Sequence, residues 1–212
     1  MNAALLLVLL FAAGVTPSAD PDPGLAESLV SRIEARHSRT QDLVARFVQS
    51  YRSGLLGREL VERGVVSIKR PGRMRWEYKE PEEKLFLSDG ERFYFYVPED
   101  RQVIIQAQDD ERSLAARLLF GGAGLLEEFE VSLEEPFEEG VLRVRLVPRH
   151  ENAELERAYI DAEPSGLIRS ILLEDIQGNR TLFRFEEIRE NTGLSDRLFE
   201  FEIPSGVEVI RG

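Results

Sequence analysis

Residues 67–96 read SIKRPGRMRWEYKEPEEKLFLSDGERFYFY, and this stretch decides the fold. Apolar and polar residues alternate along it with a period of two, which is the pattern of β-strands that bury one face. Arg70-Pro71-Gly72 and Asp89-Gly90 supply turns between successive strands, and the second is typical of tight hairpins. The stretch therefore predicts an antiparallel meander with a large apolar surface on one side.

The rest of the chain extends this pattern. A helix is predicted up to about Arg39, with Asp22 as its N-cap and Pro23 in its first turn. Strands are then predicted from Leu43 to Tyr51 and from Leu60 to Lys69, and a second helix from Leu114 to Phe120. Further strands are predicted near 129–134, 141–147, 156–162, 167–174, 181–188 and 198–203. About eleven antiparallel strands in one small chain should curl. We therefore expect a mainly β (α+β) fold, an unclosed, strongly curved antiparallel β-barrel with a lid of two or three α-helices over an apolar cavity.

The N-terminus has the pattern of a secretory signal peptide. Residues 5–13 are apolar and uncharged, and small residues follow before Asp20. This apolar run is shorter than the roughly 20 residues that a membrane-spanning helix needs. We expect a signal peptide over residues 1–19 and one domain over residues 20–212.

Composition argues against several classes of function. The net charge of −12 disfavours binding to nucleic acid and electrostatic adsorption to anionic membranes. The chain has no cysteine, so it forms no disulfide and has no site for a lipid anchor of its own. Its two histidines, His37 and His150, have no other good ligand at metal-site spacing, so no metal or cofactor is expected. No nucleophile elbow, zinc-protease helix or phosphate-binding loop is present, so we do not expect an enzyme.

Several short motifs occur together in a characteristic order. They are Lys69-Arg70-Pro71, Trp76-Glu77-Tyr78, Ser88-Asp89-Gly90, Asp175-Ile176-Gln177-Gly178-Asn179 and Pro204-Ser205-Gly206-Val207. In this order and spacing the chain resembles the periplasmic carriers of outer-membrane lipoproteins, the LolA family. The resemblance covers roughly Leu25 to Ile210.

The resemblance implies a function, partners and a location. It implies a monomeric carrier in the periplasm of a Gram-negative bacterium that binds the acyl chains of lipoproteins. The cargo would come from an inner-membrane ABC transporter and go to an outer-membrane receptor or to the membrane itself. Two alternatives remain open: a carrier of the same fold for another lipid or glycolipid, and a module that senses lipoproteins to regulate a signalling protein.

The same reasoning gives candidate site residues. The apolar wall of the cavity is predicted from alternation to contain Phe47, Tyr51, Ile68, Met74, Trp76, Tyr78, Leu85, Leu87, Phe93 and Phe95. The first helix and Leu114, Leu118, Leu119 and Phe120 are predicted to form the lid. The resemblance implies that Arg70 holds the empty cavity closed, since a guanidinium can donate to exposed carbonyls of a lid helix.

Overall fold

A computed structural model describes residues 23–107, 118, 124–136, 139–150 and 155–212. The strands are β1 (Asp42–Arg52), β2 (Glu59–Lys69), β3 (Arg73–Glu80), β4 (Lys84–Asp89), β5 (Arg92–Val97), β6 (Gln102–Ala107), β7 (Phe129–Glu134), β8 (Leu142–Pro148), β9 (Arg157–Ala162), β10 (Ile168–Glu174), β11 (Arg180–Glu190) and β12 (Glu208–Arg211). The helices are α1 (Pro23–Arg39), α2 (Leu125–Glu128) and a 3₁₀ turn, Asp196–Phe199. The predicted signal peptide lies outside the described residues.

All twelve strands found in the described residues belong to one sheet. Their order is β12-β6-β5-β4-β3-β2-β1-β11-β10-β9-β8-β7, so β12 and β7 are its two edges. Neighbouring strands are antiparallel except β12, which runs parallel to β6. The predicted unclosed antiparallel sheet is confirmed, with twelve strands where about eleven were expected.

The sheet is strongly curved. Trp76 on β3 and Phe183 on β11 are three strand positions apart, which corresponds to about 14 Å in a flat sheet. Their ring centroids nevertheless lie 5.5 Å apart. The concave side is therefore narrow enough for side chains to meet across it, and we call this side the inner face.

The main hydrophobic core lies between the inner face and α1. Ala26, Leu29, Val30 and Ile33 of α1 are fully buried, as expected for an amphipathic helix that covers a sheet. Leu118 is helical and fully buried in the same core. The other predicted lid residues, Leu114, Leu119 and Phe120, lie outside the described residues.

The C-terminal segment packs on the opposite, outer face. Phe201 contacts Tyr94 and Tyr96 there, with centroid distances of 5.4 and 5.5 Å. The prediction of a strand over 198–203 is wrong, because Asp196–Phe199 forms the 3₁₀ turn and the following residues pair with no strand. Phe201 is partly buried by packing against Tyr94 and Tyr96 of β5 rather than by joining the sheet.

Candidate functional site

An aromatic wall covers the inner face of β1, β3, β4, β5 and β11. Phe47 meets Trp76 and Tyr78 edge to face, with both pairs of centroids 4.9 Å apart. Phe86 stacks on Phe95 at 4.4 Å. Edge-to-face and offset contacts are the favoured arrangements of aromatic rings. We call this set of inner-face side chains the inner wall: Phe47, Ile68, Met74, Trp76, Tyr78, Phe86, Phe93, Phe95, Phe183 and Phe185.

The strand register corrects two of the predicted wall residues. Leu85 pairs with Tyr96 and Leu87 with Tyr94, so both leucines lie on the outer face. There they form a second buried cluster with Tyr94, covered by Phe201. The prediction missed that Phe86 is the inner residue of β4. A strand in which both faces are buried shows no clear alternation, so the sequence does not identify its inner side.

Other predicted wall residues lie where alternation placed them. The inner face carries seven of them: Phe47, Ile68, Met74, Trp76, Tyr78, Phe93 and Phe95. Tyr51 continues the same side of β1 to its end, where it is 37% exposed. Phe183 and Phe185 were not predicted as wall residues, although their spacing of two on β11 was visible in the sequence.

The inner wall is mostly closed to solvent in this conformation. Six of its residues are buried, and four are partly exposed: Met74, Phe86, Phe93 and Phe95. Phe47 is 1% exposed and Trp76 is 7% exposed. Buried side chains of α1 and of the sheet form one core cluster on this side. A ligand can reach the buried part of the wall only if the elements that cover it move.

Arg70 connects the sheet to the C-terminal end of α1. Its Nε donates to the carbonyl of Thr40 at 3.1 Å, and its Nη2 donates to the carbonyl of His37 at 3.0 Å. These carbonyls lie at and just after the end of the helix, where carbonyls lack partners within the helix. The structure thus places Arg70 on helix carbonyls, and its effect on opening stays a prediction.

Two further carboxylates hold α1, and the sequence did not identify them. Glu190 on β11 accepts from Arg36 Nε at 3.0 Å and from the Thr40 hydroxyl at 3.1 Å. Burial opposes ionisation of Glu190, but the hydrogen bond and positive charge of Arg36, together with the hydrogen bond from Thr40, outweigh it and hold the pKa of Glu190 below its usual value. Glu34 Oε1 accepts from the backbone N–H groups of Gly124 and Leu125 at 3.1 and 2.9 Å. The helix is therefore fixed by polar contacts around its C-terminal half.

His37 lies beneath the Arg70 contact and is 6% exposed. Burial, followed by the positive charge of Arg70, lowers the pKa of His37 to about 4. The imidazole is therefore neutral near pH 7. Among the described residues, no group of three or more histidine, cysteine or acidic side chains is arranged to hold a metal ion.

Asp42 holds the loop that follows β11 beside this end of α1. Its carboxylate accepts from the N–H and hydroxyl of Thr192, at 2.7 and 2.9 Å, and from the N–H of Gly193 at 2.9 Å. Burial alone would raise the pKa of Asp42, but these hydrogen bonds lower it below the usual value. Asp42 is thus a charged anchor for the chain next to the Arg70 contact.

Polar side chains interrupt the inner face at the end away from Arg70. Tyr78 donates through its hydroxyl to Gln49 Oε1 at 2.6 Å. Lys84 forms an ion pair with the buried Glu62, and its ammonium lies 4.6 Å from the centre of the Tyr78 ring. Burial and the charge of Glu62 raise the pKa of Tyr78, so its hydroxyl remains protonated as a donor.

Comparison with known proteins identifies the family. Residues 38–202 match the model of the outer membrane lipoprotein carrier protein LolA. The chain belongs to the LolA family. This match includes the strands of the inner wall and the Arg70 turn.

Relatives of known name agree with this assignment. An outer-membrane lipoprotein carrier protein from Nitrosospira multiformis is 33% identical over 148 residues, covering 69% of this chain and 71% of the relative. One from Pseudomonas aeruginosa is 29% identical over 208 residues, covering 97% and 99%. Among solved structures, an uncharacterised conserved protein from Thermus thermophilus has the same fold, with a TM-score of 0.57 at 14% identity, covering 88% of this chain and 98% of that one. In the described part of this LolA-family chain, no helix is both long and apolar enough to cross a bilayer.

Proposed function

We propose that this protein is a periplasmic carrier that binds the acyl chains of lipoproteins and delivers them to the outer membrane of a Gram-negative bacterium. One observation carries the proposal. An aromatic wall shares one buried cluster with a helix that polar contacts hold at its C-terminal end, including two from Arg70. An ordinary core needs no such arrangement, whereas a lipid carrier needs an apolar surface that can be opened. The names of the relatives point the same way.

The closed wall accounts for both uptake and release. Acyl chains gain about 0.8 kcal/mol for each buried methylene, so three chains of about 15 methylenes would gain roughly 35 kcal/mol. That exceeds the practical limit of about 20 kcal/mol for noncovalent affinity. A carrier must therefore hold its cargo less tightly than this sum. Opening the helix costs part of the binding free energy, which lowers the net affinity.

The same energies determine the partners that we propose. Acyl chains do not leave a bilayer for water unaided, so an energy-driven donor must supply them. An inner-membrane ABC transporter fits this need. The acceptor is an outer-membrane receptor or the membrane itself, and the carrier acts as a monomer without a cofactor and without catalysing a reaction.

Trp76 provides a direct test, because it is the chain's single tryptophan and lies in the middle of the inner wall. A synthetic diacyl lipopeptide with brominated chains should quench its fluorescence on binding, since bromine quenches only on close approach. The matched control is a Trp76→Phe, Tyr94→Trp protein, in which the fluorophore is moved to the outer face. We expect quenching in the wild-type protein and none in the control.

The alternatives give different results. Equal quenching by a brominated phospholipid and by the lipopeptide would indicate a general lipid carrier instead. Absence of quenching by either ligand, or equal quenching in the control, would contradict the proposed site.

A further inference from the structure

Two neighbouring turns present apolar side chains to solvent at one end of the sheet. Leu55 is 90% exposed and Leu56 is 68% exposed in the turn between β1 and β2. Ile176, in the turn between β10 and β11, is 60% exposed. We call turns 53–58 and 175–179 together the apolar ridge. The ridge lies at the end of β2 away from Arg70, about 33 Å from it for an eleven-residue strand.

The turn between β1 and β2 holds its leucines outward through defined hydrogen bonds. Ser53 Oγ accepts from the N–H of Leu56 at 3.2 Å, and the Ser53 carbonyl accepts from the N–H of Gly57 at 2.9 Å. The N–H of Ser53 donates to the carbonyl of Arg58 at 3.1 Å. The turn is closed on itself, so the two leucines are displayed by a formed structure.

The second turn is built in the same way and packs against the first. Asp175 accepts from the N–H groups of Gln177 and Asn179 at 2.8 and 2.9 Å. The side chain of Asn179 accepts from the N–H of Gly54 at 3.1 Å. A Cβ on Gly54 would lie 2.5 Å from the carbonyl oxygen of Gly178, so the contact requires glycine. The motif Asp175–Asn179 thus fixes the two turns as one surface.

The charges around the leucines differ from those of the chain as a whole. Residues 51–60 contain Arg52, Arg58 and Glu59, a local net charge of +1 in a chain of −12. Within the described residues, neither arginine has a carboxylate within 4 Å. In the second turn, Asp175 accepts hydrogen bonds from backbone N–H groups, and the neighbouring Glu174 is buried against Arg157 and Arg180. Glu82 and Glu83 lie in the β3–β4 turn at the same end of the sheet. An anionic surface would therefore repel that side and attract the side with the ridge.

The inner side of the β1–β2 hairpin extends to the ridge. Tyr51 and Leu60 are cross-strand partners and are 37% and 47% exposed. They follow the inner pairs Phe47–Gly64 and Gln49–Glu62 along the same two strands. Tyr51 and Leu60, which adjoin the ridge, thus share one side of the β1–β2 hairpin with the inner wall, with a polar pair between them.

We propose that the apolar ridge inserts into the surface of an anionic phospholipid bilayer. Exposed leucines on a fixed turn, next to unpaired arginines, fit the boundary between headgroups and acyl chains. The acidic body keeps the rest of the molecule away from the membrane. This contact would place the end of the inner wall at the bilayer while Arg70 and the C-terminal end of α1 remain distant from it.

The test is cosedimentation of cargo-free protein with protein-free, sucrose-loaded vesicles. Vesicles of phosphatidylethanolamine and phosphatidylglycerol are compared with vesicles of phosphatidylcholine alone. We expect Leu55→Asn/Leu56→Asn to lower the partition coefficient about 30-fold. Arg52→Gln/Arg58→Gln should remove most of the preference for the anionic vesicles, a loss of about tenfold or more. The matched control is Ile203→Asn/Ile210→Asn, which changes two isoleucines that are 41% and 40% exposed elsewhere, and it should bind as the wild type does.

Three results would overturn the proposal. The first is a wild-type protein that binds neither kind of vesicle. The second is a leucine double variant with unchanged partition. The third is leucine-dependent binding to native membranes but not to protein-free vesicles, which would indicate a protein partner. Because Trp76 quenching measures acyl binding separately, failure of the ridge and failure of the carrier function can be distinguished.

Discussion

The contact between Arg70 and α1 gives the sharpest prediction about the closed wall. Two hydrogen bonds join the guanidinium to the carbonyls of Thr40 and His37. Bonds from a charged donor contribute about 1.5–3 kcal/mol each when buried, and we take about 1 kcal/mol each because Arg70 is accessible to solvent. Arg70→Leu should then shift the equilibrium toward the open state by about 2 kcal/mol. This equals a change of about 30-fold in the ratio of open to closed molecules.

Such a shift should appear as tighter binding. The apparent Kd is the intrinsic Kd divided by the open fraction, so Arg70→Leu should lower the apparent Kd for a brominated lipopeptide by up to about 30-fold. Release to acceptor vesicles should slow accordingly. Both quantities follow from the quenching of Trp76 and its recovery.

Two further variants separate the contact from a loss of charge. Arg70→Lys keeps the charge but lacks the planar fork that reaches both carbonyls. Its apparent Kd should therefore lie between that of the wild type and that of Arg70→Leu. Arg46→Leu removes an arginine that is paired with Glu187 at an exposed site, and it should leave the Kd unchanged. An Arg70→Leu protein with native unfolding behaviour, wild-type Kd and wild-type release would refute this reasoning.

Three other predictions concern stability, measured by urea unfolding. The pKa of His37 is about 4 folded and about 6.5 unfolded, so the unfolded state binds more protons between these values. The free energy of unfolding of the wild type should therefore fall by about 2 kcal/mol between pH 7 and pH 5 because of this group. The His37→Gln protein should lack this decrease, and the same pH dependence in both proteins would contradict the prediction. Asp161→Asn should lower the free energy of unfolding by about 3–5 kcal/mol, because Asp161 is buried and accepts two hydrogen bonds of 2.7 Å from Arg143. The double variant Arg143→Met/Asp161→Leu should recover much of this stability. Gly64→Ala should destabilise by more than 2 kcal/mol, because the new Cβ would lie 2.0 Å from the carbonyl oxygen of Glu77, and near-native stability would show that the strands can separate there.

The fold followed from local pattern because most of its pairings are local. From β1 to β6 and from β7 to β11 each strand pairs with the next along the chain, so alternation and turn residues were enough to predict the meander. The pairing of β1 with β11 joins residues that are far apart in sequence, such as Phe47 and Phe185. No local signal encodes it. The same holds for β12, whose partner β6 is about a hundred residues away.

The site was predictable only where one face of a strand is apolar. Trp76 and Tyr78 alternate with charged residues, and their placement on the inner face was right. Leu85 and Leu87 failed because β4 is buried on both sides, with Phe86 between them on the inner face. Glu190 gave no signal at all. It was one of many carboxylates, and its role depends on a helix that lies 150 residues earlier.

The contacts of α1 have a consequence for how the molecule is made. The helix is synthesised first, but Arg36 pairs with Glu190, which follows it by 154 residues in the sequence. Glu34 accepts a hydrogen bond from the N–H of Leu125, which follows it by 91 residues. The strands that carry Phe47, Trp76 and Phe95 are therefore synthesised before α1 can form the polar contacts that hold it in place. The nascent chain therefore keeps its most apolar surface uncovered until its last strands have been made.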